Sequence, residues 1–141
     1  MILEIEKFMK KAILGCLSLG VLLVATPVWA DKPEPDLKQG KQSYDQYCAR
    51  CHGIEGAGDG VDAPKFYPRP RDLAYGVYKF RSSVSGTPPK DEDLFKTLDR
   101  GLHGSNMPDW PHIDEAERWQ IIYYMKSLSD IFEELEPENV T

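Results

Sequence analysis

The stretch Cys48-Ala49-Arg50-Cys51-His52 decides how the rest of the chain is read. Two thiols stand three positions apart and an imidazole follows the second directly. A bare C-x-x-C pair serves a redox dithiol or half of a zinc site equally well. A dithiol of the thioredoxin kind wants a βαβ context, and none is visible around residues 40–60. A structural zinc site wants two more ligands at similar spacing, and His103 and His112 are poor candidates for that. The remaining chemistry is attachment of a c-type haem, for which C-x-x-C-H is the signature. At a helix end, two thiols at this spacing reach the two vinyl groups along one porphyrin edge and form thioethers. The histidine is then carried beneath the ring as an iron ligand. The motif therefore predicts haem c, one copy, covalently held by Cys48 and Cys51, with His52 on the iron.

The region before the motif fits that chemistry. Lys7, Lys10 and Lys11 precede an apolar run over residues 12–25, followed by Val28-Trp29-Ala30. A basic lead, a short apolar stretch and small residues at −3 and −1 predict a secretory signal peptide over residues 1–30. The run is short for a bilayer span, so cleavage is favoured over a retained anchor and no membrane span is expected in the mature form. The predicted location is the periplasm. Without residues 1–30, lysines and arginines fall from 17 to 14 and acids from 23 to 21, a formal charge of −7. That balance argues against nucleic acid as a partner. Cys48 and Cys51 are then the only cysteines, too close together for a structural disulfide to be useful.

Outward from the motif, the mature chain reads as three helices separated by loops. Asp36 can cap a helix over residues 37–49. Residues 52–60 are glycine-rich loop, and five prolines between residues 61 and 90 (Pro64, Pro68, Pro70, Pro88 and Pro89) forbid a long helix there. Asp91 is predicted to cap a second helix through Arg100, with Leu94, Phe95 and Leu98 inward and Gly101 as its stop. Asp114 with Glu117 predicts a capping box. It opens a third helix that carries Ile121, Tyr124, Met125 and Leu128 inward and ends near Ser129 or Asp130. No alternating stretch predicts a strand. Residues 131–141, with four glutamates from Glu133 on, are predicted to fray. Residues 31–130 then form one all-α domain whose long loops need an object to wrap around, and the haem is that object.

The iron needs a sixth ligand or an open site. Met107, in Gly104-Ser105-Asn106-Met107-Pro108, is the first choice, since its loop lies between two helices and Pro108 stiffens the backbone. A thioether is a soft neutral donor that favours ferrous iron. His103, His112 and Met125 are its rivals. Met125 lies on the apolar stripe of the third helix, and the two histidines sit in a loop rich in glycine and proline.

Over residues 37–129 the chain resembles the class I (cytochrome c-like) monohaem cytochromes. Gly40-x3-Tyr44-x3-Cys48 leading into C-x-x-C-H, the Met-Pro loop and the closing helix with Glu117-Arg118-Trp119 and Tyr124 carry the resemblance. It implies the cytochrome c fold: three main helices, the first and last crossing at Gly40, Tyr44 and Tyr124, with loops around one covalent haem. It implies that Pro64 offers its carbonyl to the His52 Nδ1, and that Arg69, Arg71 and Arg81 lie near the haem propionates. The long middle, residues 61–90, looks like subfamilies that serve respiratory or periplasmic oxidoreductase chains.

A filled His/Met coordination sphere leaves no position for substrate, so the expected role is one-electron transfer rather than catalysis. The expected partners are a redox-protein donor and acceptor. The chain would work as a monomeric shuttle or as the haem subunit of an oxidoreductase complex. A gas-binding or peroxidase haem is the alternative if the sixth site is open.

Overall fold

The computed structural model describes residues 32–140. The signal peptide predicted over residues 1–30 lies outside the described residues. Helix α1 spans Leu37–Tyr47 and α2 spans Ala49–His52; a 3-10 turn covers Ala63–Lys65; α3 spans Asp91–Arg100, α4 Glu115–Lys126 and α5 Ile131–Glu134. Among the described residues there is no strand, only an isolated antiparallel bridge between Ser83 and Asn139. The all-α expectation holds.

Helix α1 begins where Asp36 accepts the Lys38 and Gln39 N–H groups, both at 3.0 Å. It pauses at Cys48 and resumes as α2. The haem motif is therefore helical to its end rather than opening into loop at His52. Gly53 ends it with φ of +82°, a conformation that favours glycine.

Two caps differ from expectation. The N-cap of α3 is Lys90, not Asp91, because the carboxylate that reaches back to the cap belongs to Asp93. That carboxylate accepts from the Lys90 N–H at 3.2 Å, and from the Ser82 N–H and hydroxyl at 2.8 and 3.0 Å. At α4, Asp114 accepts the Glu117 N–H at 2.8 Å as predicted. The Glu117 side chain does not return the bond. It accepts from the Ser43 hydroxyl at 2.7 Å and so ties α4 to α1.

The core forms where α1 crosses α4. A Cβ on Gly40 would fall inside the Gln120 carbonyl oxygen and 2.9 Å from the Tyr124 Cβ, so only glycine lets the backbones approach this closely. Tyr44, almost fully buried, packs edge-on against Tyr124 with centroids 5.2 Å apart. The Gln120 side chain locks the crossing, accepting the Asp36 N–H at 2.6 Å and donating to the Glu34 carbonyl at 2.9 Å. Leu94 and Leu98 of α3 face Ile121 and Met125 in the same cluster, while Phe95 stacks on Trp119 at 4.5 Å.

Helix α4 stops at Lys126, three or four residues earlier than predicted, and α5 follows a short turn. The segment predicted to fray instead folds back on the middle of the chain. Phe132 packs edge-on against Tyr78 at 5.7 Å, and the Glu138 carbonyl accepts the Val84 N–H at 2.9 Å. Four glutamates made this segment look solvated, and the partners that hold it lie fifty residues away.

Candidate haem-binding site

Helix α2 and its caps present Cys48, Cys51 and His52, and the loop behind them sets the orientation of His52. The Gly58 N–H bonds to the His52 carbonyl at 2.8 Å, and the Gly56 carbonyl accepts the Leu73 N–H at 2.6 Å. These bonds bring the chain at residues 71–73 under α2. The His52 Nδ1 then lies 2.8 Å from the Arg71 carbonyl. A carbonyl only accepts, so Nδ1 carries the proton and Nε2 carries the lone pair. Burial lowers the basicity of His52, opposed by the Arg71 bond, and both conditions suit a neutral ligand imidazole. The partner predicted for Nδ1 was Pro64. Pro64 is itself exposed in the 3-10 turn, and the glycine loop selects the Arg71 carbonyl in its place.

In front of α2 lie two adjoining cavities, an inner one of about 100 Å³ and an outer one of about 290 Å³. Cys48, His52, Arg71, Lys79, Phe80, Leu102 and Met107 line both. Cys51 lines the outer cavity, and the inner one ends on core residues including Leu94, Ile121 and Met125.

Met107 is delivered by a tight turn. The Leu102 N–H bonds to the Met107 carbonyl at 3.1 Å, and the Ser105 hydroxyl bridges the Leu102 carbonyl at 2.8 Å and the Met107 N–H at 3.2 Å. Gly101, with φ of +63°, lets this turn close against Pro108 and Asp109. His52 and Met107 thus stand on one cavity system. Of the rivals, His103 lines only the outer cavity, Met125 belongs to the core, and His112 lies away from both against Tyr47 and Trp110.

The arginines divide. Arg69 lines the outer cavity and Arg71 lines both. Arg81 lines neither, which corrects the expectation for it: its guanidinium donates to the Tyr78 carbonyl and, at 2.9 Å, to the Ser85 hydroxyl. Lys79 also lines both cavities, a position for which the sequence does not single it out among the basic residues Lys65, Arg69, Arg71, Lys79 and Arg81. Tyr78 and Phe80 were missed as well. Period and spacing give no sign of which residues in a loop face inward.

The residues fit a haem. The cavity is apolar in its depth, with two thiols and an imidazole on one wall and a thioether on another. Among the described residues no Asp or Glu lines either cavity, and Arg69, Arg71 and Lys79 form no ion pair. Cations without carboxylate partners suit the two propionates that a haem brings. The thiols do not suit a redox dithiol. Burial pushes the Cys48 thiol up to about 12, and burial raises Cys51 also, whereas a reactive cysteine needs a depressed value. Among the described residues no group of three His, Cys, Asp or Glu side chains could hold a metal ion alone.

The family model described as "Cytochrome C oxidase, cbb3-type, subunit III" matches residues 35–125. The chain belongs to that family of c-type cytochromes. The match covers α1 to α4, the motif and the Met107 turn, and stops short of α5. This cytochrome is also similar to a chain of the Kuenenia stuttgartiensis reducing HAO-like protein complex, at 40% identity and a TM-score of 0.74. The likeness covers 79% of this cytochrome and 50% of that chain, so this cytochrome spans half the length of that relative. No curated protein sequence matches. Among the described residues no helix is long and apolar enough to cross a membrane.

Proposed function

We propose that this cytochrome is an exported monohaem carrier of single electrons, with its iron held between His52 and Met107. The observation that carries the reading is the pair of cavities that Cys48, His52 and Met107 line together. A c-type haem, when bound, supplies a ferrous/ferric couple. The chain's own part is to fix and shield it. Cys48 and Cys51 provide the thioether sulfurs, and His52, oriented by the Arg71 carbonyl, offers Nε2. Met107 offers a thioether that favours the ferrous state. If His52 and Met107 both held the iron, the chain would leave no position for a substrate, and the role would be transfer rather than catalysis. Arg69, Arg71 and Lys79 at the mouth would balance the propionates.

The signal-peptide features of residues 1–30 support the periplasm, where a redox-protein donor and acceptor would meet the exposed mouth. A haem subunit of an oxidoreductase is favoured over a free shuttle. The family's description names an oxidase subunit, and the structural relative comes from a complex.

Optical spectroscopy of the purified protein with and without carbon monoxide, beside Met107→Ala, tests the coordination. The wild-type ferrous protein should resist carbon monoxide, and the variant should bind it. If the wild type binds readily and the substitution leaves the ferric spectrum unchanged, Met107 is not a ligand. A gas-binding or peroxidase haem then replaces the carrier.

A further inference from the structure

Residues 131–140 lie beyond the segment the family model matches, and none of them lines either of the two cavities in front of α2. Their contacts run instead to residues 76–90. At Gly76, φ is +72° and a Cβ would come 2.6 Å from the Ile131 Cγ2, so Ile131 seats directly on the backbone. Phe132 meets the Tyr78 ring edge-on. The Val84 N–H bonds to the Glu138 carbonyl, Asn139 bridges to Ser83, and the Lys90 ammonium donates to the Asn139 Oδ1 at 2.6 Å. The segment so held is the one that gives Tyr78, Lys79 and Phe80 to the cavity wall.

Three hydroxyl groups line the inner cavity. Those of Tyr44 and Thr97 each donate to a backbone carbonyl at 2.9 Å. The Tyr78 hydroxyl reaches only the Leu73 carbonyl, at 3.5 Å, the outer limit of a hydrogen bond. Burial raises its pKa, with the Asp72 charge adding to the effect, so the phenol keeps its proton. Tyr78 is thus an O–H donor in an apolar cavity without a good acceptor of its own, and buried donors find partners.

We propose that residues 131–140 are a strap whose Phe132 holds the Tyr78 phenol in the haem cavity, where its O–H donates to the haem centre and raises the reduction potential. The inference rests on the electron-carrier reading above. The positive end of an O–H dipole opposes the extra positive charge of the ferric state, and a low-dielectric surrounding strengthens that opposition. Tyr78→Phe keeps the ring and its contact with Phe132 and removes only the dipole. Phe132→Leu keeps apolar volume and removes the ring edge that orients the phenol.

Redox titration of the full-length holoprotein tests this. Tyr78→Phe should shift the ferrous-to-ferric ratio at fixed potential about tenfold toward ferric, which is 59 mV for one electron. Phe132→Leu should shift it the same way by about threefold, and the double variant should go no further than Tyr78→Phe, because both act through one group. Amide exchange at Val84 reports strap engagement separately; it should quicken in Phe132→Leu and stay unchanged in Tyr78→Phe. An unchanged potential in Tyr78→Phe, with haem spectrum and unfolding midpoint intact, overturns the donor role. Additive shifts in the double variant overturn the strap's part in it. A wild-type protein whose pyridine haemochrome lacks c-type character overturns the carrier reading itself, and the inference with it.

Discussion

Gly40 shows how one residue without a side chain sets the distance between two helices. Helix propensity alone says that Gly40→Ala should stabilise α1 by about 1 kcal/mol. The added methyl, however, would occupy the space of the Gln120 carbonyl oxygen, which is backbone held inside α4 and has nowhere to go. Overpacking of this kind costs about 1–3 kcal/mol, enough to reverse the sign. Urea unfolding should therefore find Gly40→Ala less stable than wild type by about 1 kcal/mol, the overpacking cost less the gain in propensity. An increase in stability would show that the crossing can spread. His52 teaches a complementary lesson. Its candidacy as a ligand is plain from its place after Cys51, but the group that orients it is a backbone carbonyl. Any residue supplies one, so composition does not mark it, and the choice of Arg71 over Pro64 follows from how Gly56 and Gly58 fold the loop.

Elements were legible to the extent that their signals are local. Helices α1, α3 and α4 follow from period and caps, and Asp114 is the sharpest case. Its carboxylate accepts the Glu117 N–H at 2.8 Å at an exposed position. Asp114→Ala should cost about 1 kcal/mol, the usual value of an N-cap, read as a lower thermal midpoint. The visible haem spectrum should be unchanged, since Asp114 lines neither cavity. A shifted spectrum would mean that the start of α4 also sets the Met107 turn. The second half of the expected capping box was illegible. Glu117 has two possible partners, its own helix end and Ser43, and only the approach of α1 makes the second available. The end of α4 and the helix α5 were misread for a related reason: glutamates signal solvent, while Ile131 and Phe132 answer to a surface made by residues 76–78.

Across the whole molecule, Asp91 links pieces far apart in the chain. Its carboxylate accepts from Lys32 at 3.3 Å and from Lys126 at 2.6 Å, joining the start of the domain to the end of α4 through α3. Burial alone would raise its pKa. The Lys126 bond and charge, with Lys32 behind them, outweigh that and leave it below the ordinary carboxylate value. A carboxyl whose folded pKa is depressed adds stability that is complete above its unfolded value, about 4, and is lost as pH falls through the folded one. Unfolding followed between about pH 6 and 2 should therefore show wild type losing its advantage over Asp91→Asn as the acid limit is approached. A constant difference across that range would remove Asp91 from the linkage.

By itself the sequence determined the haem motif, the candidacy of His52 and Met107 as iron ligands, and the three main helices. Each of these depends on residue type at fixed short spacing, and covalent geometry carries that information without help. Tertiary structure decided the rest. It chose the carbonyl behind His52, turned Lys79 toward the cavity and Arg81 away from it, and drew an acidic tail across the middle loop. Those choices depend on which distant backbone arrives at a given point, and no local period records that.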